Sequence, residues 1–353
     1  MAFIEGTKVL TNSGWKQIEQ IAGQDKVLVR NFIGDAEFIQ PFALKKKKYS
    51  GDVISVSGKG WSFDVTPDHI VVYDKETSYF GDHYVHEKAE DLQVNSRNRI
   101  QRKFKYLPID DYKREAVVFY TPFGKKWVTI SNEDWYVLVA FTLCRGYLEP
   151  TGKRFALNIR LDREKSEEEL LILTDILDRI GVQWSLIPSH TTNTLYVRLS
   201  ANSPIAKRII TRLGSKKRKE MFLPDKMIYN SSKELSVLLI ETIIKLSKKP
   251  STERGLSYQF TTNNEKLVES LELLGTLAGY GMNRKIMAKK GTDNGYGAVK
   301  KDVFNLVIAN LSASYSPLSI KKQKYSGYVY EIDLFDGQVY VKEGTAPVWV
   351  NPR

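Results

Sequence analysis

The sequence predicts a multi-domain protein in which an all-β unit, built from both chain ends, carries an inserted α+β unit. Three observations carry that expectation. Short strands broken by turns fill the first third and return from about Tyr325 to the end. Windows with helical apolar spacing are confined to the middle. One lysine-rich segment occurs twice, once near each end. The chain has 353 residues, more than one ordinary domain, and its 42% hydrophobic and 27% charged content fits packed cores.

Taken in order, Lys8-Val9-Leu10-Thr11 and Lys26-Val27-Leu28-Val29 read as strands, with Asn12-Ser13-Gly14 as a turn after the first. Val53-Ile54-Ser55-Val56 and Ile70-Val71-Val72-Tyr73 continue the pattern, with Gly-Lys-Gly at 58–60 between them. Residues 134–148, 166–180, 233–246 and 264–278 carry helical spacing, and strand-like pieces at 155–160 and 195–199 lie among them. The first repeat matches 44–53 to 320–329, including Tyr49-Ser50-Gly51 against Tyr325-Ser326-Gly327. Its lysines read as a solvated edge. The second repeat is helix, strand, helix, ending once in Ile180-Gly181-Val182 and again, after a strand at 257–261, in Ala278-Gly279-Tyr280-Gly281. A duplicated α/β unit inserted into a duplicated β unit is the simplest architecture.

A net charge of +12 favours contact with polyanions such as nucleic acid, and equally suits a lysine-rich soluble protein. The lone Cys144 excludes an internal disulfide and a cysteine zinc site and suits a reducing, cytoplasmic setting. No apolar run approaches membrane-spanning length, and the opening residues read as a strand rather than a signal peptide, so no membrane partner is expected. His83 beside Asp82, with His86, reads as a solvated pair rather than a metal site.

Residues 2–18, with Gly6-Thr7, a strand, the Gly14 turn and Ile18, resemble the first conserved block of inteins and of the wider Hint family. Residues 60–72 match the second block through Thr66-Pro67-Asp68-His69, and 86–92 resemble the Ala-x-x-Leu stretch after it. Residues 328–334 resemble the penultimate block, and Trp349-Val350-Asn351 the terminal one. The resemblance covers about 1–105 and 315–351 and implies a Hint horseshoe that performs autocatalytic, single-turnover protein splicing. Its partners would be the flanking extein sequences in cis, with no cofactor for splicing and a monomeric state.

Splicing begins when a side-chain nucleophile attacks the carbonyl just upstream, and the stiff, resonance-stabilised amide resists this. On the resemblance, His69 protonates the departing nitrogen, Thr66 with nearby backbone N–H groups stabilises the oxyanion, and Asp68 assists. Asn351 then cyclises onto its own carbonyl to release the downstream peptide. Glu331 occupies the family's usual Asp position, with Asp333 a second carboxylate in the same block. Gln338 falls where many members have His, and Val350 where most have the penultimate His. Ala2 stands at the nucleophile position and Pro352 at the acceptor position after Asn351, so ligation is disabled as written. Both read as deliberate substitutions that freeze a precursor, with natural decay as the alternative.

The middle resembles the LAGLIDADG family of homing endonucleases. Residues 138–147 and 240–248 align with its two helical motifs, 219–224 with the linker before the second, and 260–264 and 273–275 also recur. The metal-binding Asp of the motif is replaced by Arg145 in the first copy and Ser247 in the second, and neither can serve as a hard-cation ligand. No double-strand cleavage is expected, and Mg would matter only if that activity survived. Double-stranded DNA remains a candidate partner through Lys216, Lys217, Arg218 and Lys219, a run that reads equally as a solvated linker. The expected boundaries are 1–115, 116–315 and 316–353. The alternative reading is a site-specific homing endonuclease with an accessory β domain. Hedgehog-type autoprocessing is disfavoured by Asn351. On the resemblance the host protein would belong to DNA metabolism in a phage or microbe, such as a DNA polymerase. The spatial premise of splicing is that Ala2, His69 and Asn351 lie side by side.

Overall fold

The computed structural model describes residues 2–31, 33–58, 60–75, 83–95, 98–101, 104–108, 116–121, 126–151, 154–213, 221–247, 257–292, 298–310, 314–315, 317, 319–344 and 346–352. These are mostly β-strand, with six α-helices among them. They form two compact units. One holds Met1–Ile109, Gly279–Asn283 and Asn310–Arg353, and the other Asp110–Ala278 and Arg284–Ala309.

The first unit is organised by its longest strands, Ala43–Gly58 and Ser319–Asp333. They pair antiparallel throughout, from Ser319 opposite Ser57 to Asp333 opposite Ala43. These are the two lysine-rich repeats, and they meet about a local two-fold. Ser50 faces Ser326, Tyr49 faces Gly327, and Gly51 faces Tyr325. In each copy the tyrosine hydroxyl donates to a carbonyl three residues on, Tyr49 to Asp52 at 2.7 Å and Tyr325 to Tyr328 at 2.8 Å. The ring crosses the glycine between. A Cβ added to Gly51 would lie 2.8 Å from the Tyr49 hydroxyl, and one on Gly327 2.5 Å from that of Tyr325. The lysines are solvated as expected, and on the other side of residues 44–53 no second strand is paired among the described residues, since the pairing with Trp61–Val65 begins at Ile54. Each repeat finds its partner in the other, and Asp52 sits 3.1 Å from Lys322 and 2.8 Å from Lys324 across the ladder.

Phe3–Ile4 and Trp61–Val65 close a barrel with these two strands, with Phe3 opposite both Tyr330 and Val65. A second sheet has seven strands, among them Lys8–Thr11, Gly14–Gln17, Val27–Arg30, Gln338–Lys342 and Val348–Val350. Gly14, at φ 104°, makes the tight turn that returns the chain onto Lys8–Thr11. Gln338–Lys342 pairs with Lys8–Thr11, with Val27–Arg30 and with the last strand. Strands from both chain ends therefore share both sheets. Phe3, Val9, Trp61, Phe63, Val341 and Val350 form part of one fully buried cluster. Each such side chain contributes about 1.5–3 kcal/mol relative to exposure.

The second unit contains α1 (Asn132–Arg145), α2 (Glu167–Arg179), α3 (Pro204–Arg212), α4 (Asp225–Tyr229), α5 (Lys233–Ser247) and α6 (Glu265–Leu277). Side-chain caps start several of them: Ser131 accepts from Asp134 N–H at 3.0 Å, and Asn264 from Leu267 N–H at 3.3 Å. The predicted glycines stop two. Gly181 and Gly279 follow α2 and α6 at φ 66° and 92°, the left-handed region that favours glycine. The apolar spacing over 134–148 overran the first helix. It ends at Arg145, and Gly146–Thr151 is a strand paired with Arg154–Asp162. Gly146 permits the abrupt change, since a Cβ there would stand 2.5 Å from the Thr142 carbonyl oxygen. None of the described helices is long and apolar enough to cross a membrane.

Candidate active site

The strand Trp61–Val65 alternates buried and half-buried residues and stops at Thr66-Pro67, where proline has no N–H for the ladder. The chain turns there, with His69 N–H on the Thr66 carbonyl at 3.0 Å, before Ile70–Lys75 begins. This turn grips the start of the chain. Thr66 N–H donates to the Ala2 carbonyl at 3.0 Å, and Ala2 N–H donates to Thr66 Oγ1 at 2.9 Å. Ala2 is 3% exposed. The Thr66 hydroxyl hydrogen in turn serves the Asp68 carboxylate. Burial raises the Asp68 pKa, and this hydrogen bond, with others, outweighs it to leave the group below its ordinary value. Thr66 thus engages residue 2 through both its backbone and its side chain. Its side chain meets the nitrogen of the upstream peptide bond, because accepting from Ala2 N–H and donating to Asp68 uses the hydroxyl in that direction.

His69 is fully buried, with its ring edge-on to Phe3 at 5.1 Å between centroids. Burial pushes its pKa from the ordinary 6.5 down to about 3, with the Asn351 backbone acting in the opposite sense. Neither ring nitrogen makes a hydrogen bond of normal geometry to a described group, yet Asn351 is close enough to favour the charged ring. The imidazole is therefore neutral at physiological pH. It keeps one N–H to donate and one lone pair to accept, so it can pass a proton without holding one.

Asn351 is half-buried and Pro352 buried, just beyond Val348–Val350. Gln338 is 3% exposed and its Oε1 accepts from Arg30 Nη1 at 3.1 Å. Asn351 thus shares the neighbourhood of His69, and His69 shares that of Ala2 through Thr66 and Phe3. Glu331 and Asp333 lie on the face of their strand opposite to core residues Tyr330 and Ile332. Asp333 is 3.2 Å from Lys45, an ion pair on the solvated side.

Two residues of this unit escaped the sequence reading. Arg30 closes an apolar strand and looks like any surface terminus until the register places it beside Gln338. Glu343 follows Gln338–Lys342. Burial, and then the charge of Asp64, raise its carboxyl to about 7 despite a 2.8 Å hydrogen bond from the Thr7 hydroxyl. Neither lies in a recognisable motif, and no local pattern marks them.

In the second unit the two motif helices α1 and α5 pack together, and the residues at the expected metal positions are otherwise engaged. Arg145 Nη2 donates to the Leu246 carbonyl at 2.6 Å, and Ser247 Oγ donates to the Ile243 carbonyl at 2.7 Å within its own helix. A guanidinium and a hydroxyl used in this way do not fit a divalent cation. Among the described residues no three His, Cys, Asp or Glu side chains are grouped to hold a metal. Lys216, Lys217, Arg218 and Lys219 lie outside the described residues, as does the side chain of His83.

No family model matches the chain, and no curated protein matches it. Among solved structures the chain is similar to a splice-inactive variant of the AceL NrdHF class 3 split intein. That likeness has 21% identity over 37% of this chain and 97% of that one, with a TM-score of 0.26. It is also similar to the homing endonuclease I-DmoI with its target DNA, at 10% identity over 50% of this chain and 89% of the other, TM-score 0.36. The homing endonuclease I-WcaI bound to its DNA recognition sequence gives 14% identity over 52% and 78%, TM-score 0.34.

Proposed function

We propose that the chain is a protein-splicing element whose ligation chemistry is disabled at both junctions, with an inserted endonuclease-like unit that does not cut DNA. The observation that carries this reading is the convergence on one turn. The Thr66–His69 segment holds Ala2 through paired hydrogen bonds, and the Asn351 backbone lies at the His69 ring. In a competent form, a nucleophile at residue 2 attacks the carbonyl upstream of it. The Thr66–Asp68 pair holds the nitrogen being released, and neutral His69 relays the proton it needs. Asn351 then cyclises to free the downstream chain. Ala2 has no attacking atom, and Pro352 has no side-chain hydroxyl or thiol to accept the transferred acyl group.

Carriers fused before residue 2 and after residue 353 test this. With Ala2→Cys and Pro352→Ser, a denaturing gel should reveal ligated carriers, and adding Asn351→Ala should remove that product. Absence of ligation at every pH tried would sink the splicing reading. For the inserted unit, DNA carrying the uninterrupted insertion site should remain intact with Mg²⁺ or Mn²⁺. Specific cutting would overturn the reading of Arg145 and Ser247.

A further inference from the structure

Arg30 is 5% exposed, and among the described residues no carboxylate pairs with it. Among the described residues its guanidinium donates only to neutral groups, Gln338 Oε1 at 3.1 Å and the Tyr84 hydroxyl at 3.3 Å, and its Nε has no partner there. Burying a cation among neutral partners costs several kcal/mol. A fold that keeps one in the sheet that carries the last strand invites a functional explanation.

The register supplies it. Gln338 lies opposite Arg30 on one flank, while on the other Val339 lies opposite Val350, so the chain brings Asn351 next to Gln338. A guanidinium can only donate, so the end of the Gln338 amide that faces Arg30 is its oxygen. The NH₂ end is left as a donor, strengthened by the positive charge on its oxygen.

We propose that Arg30 is a positioning residue for cleavage after Asn351: it orients and polarises the Gln338 amide, whose N–H donates to the Asn351 carbonyl oxygen as charge builds there. This rests on the splicing reading above. In the step itself Asn351 Nδ2 attacks its own backbone carbonyl carbon and closes a succinimide ring. The bond from that carbon to the nitrogen of residue 352 breaks, and that nitrogen leaves as an amine with the proton that Nδ2 gives up. Neither Arg30 nor Gln338 changes protonation state, so the pair does the work of an imidazole without its pH dependence.

The test uses the full chain with Pro352→Ser and a carrier after residue 353, following carrier release and the succinimide mass at Asn351. Arg30→Met should slow release by about tenfold. Adding Gln338→His should restore it, because an imidazole donates without a cation to orient it, and a purely structural loss would not be rescued. The parent rate should be flat between about pH 4 and 8, whereas Gln338→His should add an acid-side inflection, displaced below the ordinary imidazole range by burial and by the Arg30 charge. Should Arg30→Met not fold by circular dichroism, Arg30→Lys is read in its place, with a smaller loss and the same rescue expected. Release at the parent rate in the Arg30 variants, or no rescue by histidine, overturns the role of Arg30. Absence of release from the folded parent and from Gln338→His overturns the splicing reading and this inference with it.

Discussion

Tyr49 and Tyr325 spend their hydroxyls on their own strands. Each ring lies across the glycine two residues on to reach a carbonyl at the third. Both glycines have room for hydrogen only, because the tyrosine oxygen occupies the space of a Cβ. Gly51→Ala and Gly327→Ala should each lower stability by about 1–3 kcal/mol, as overpacking does, and the double variant should depart from the sum, because each tyrosine crosses one glycine and faces the other. Urea titration checks this, and a neutral result at either site would mean the ring is free to swing away. The triplet was legible in the sequence as a repeat. Its reason was not, since the contact of a side chain with its own backbone leaves no trace in spacing. Arg30 is a harder case. A basic residue at the end of a buried strand has an ordinary explanation, and only the pairing of residues 308 positions apart gives it another.

At the scale of elements, α1 and α5 pack together through buried faces, with no acidic side chain at Arg145 or Ser247. Small and apolar residues, among them Ala140 on α1 and Ile240 and Ile243 on α5, remain fully buried. Where the resembled motif would place an acid, Arg145 donates to the end of the partner helix. Arg145 meets the last carbonyls of α5, where the helix dipole is negative, so charge and hydrogen bond act together. Arg145→Ala should cost about 1.5–3 kcal/mol as a lost charged hydrogen bond, and Arg145→Asp more, since it sets a carboxylate against two helix C-termini. Thermal melts of the two variants rank them. An Arg145→Asp protein as stable as the parent would show that the site still tolerates the acid. Helix periodicity located both motif helices, whose apolar faces are long, but overran α1 by three residues because Tyr147 and Leu148 continue the apolar spacing after Gly146 has ended the helix.

For the whole molecule, the two displaced titrations in the β unit whose windows reach nearest neutrality act in opposite directions. His69 falls from 6.5 to about 3 on folding, so between those values the unfolded chain binds a proton that the folded chain refuses. Its contribution to stability is complete above pH 6.5 and is lost as the pH falls through that window. Glu343 moves the other way, from 4.5 to about 7, so the folded chain holds a proton that the unfolded chain releases. That contribution is complete below pH 4.5 and is lost as the pH rises to 7. The β unit should therefore rise in stability from acid, flatten where the windows overlap, and decline toward neutrality. Glu343→Gln should remove the decline, and His69→Gln should weaken the acid limb. Urea midpoints measured across pH decide it, taken on the transition assigned to the β unit because a chain of two units need not unfold in one step. A Glu343→Gln variant that declines toward neutral pH as steeply as the parent would show that its carboxyl is not the group responsible. Shifts of this kind are set first by burial in the folded β unit, and for Glu343 next by the charge of Asp64, far away in sequence, so composition and motif give no sign of them.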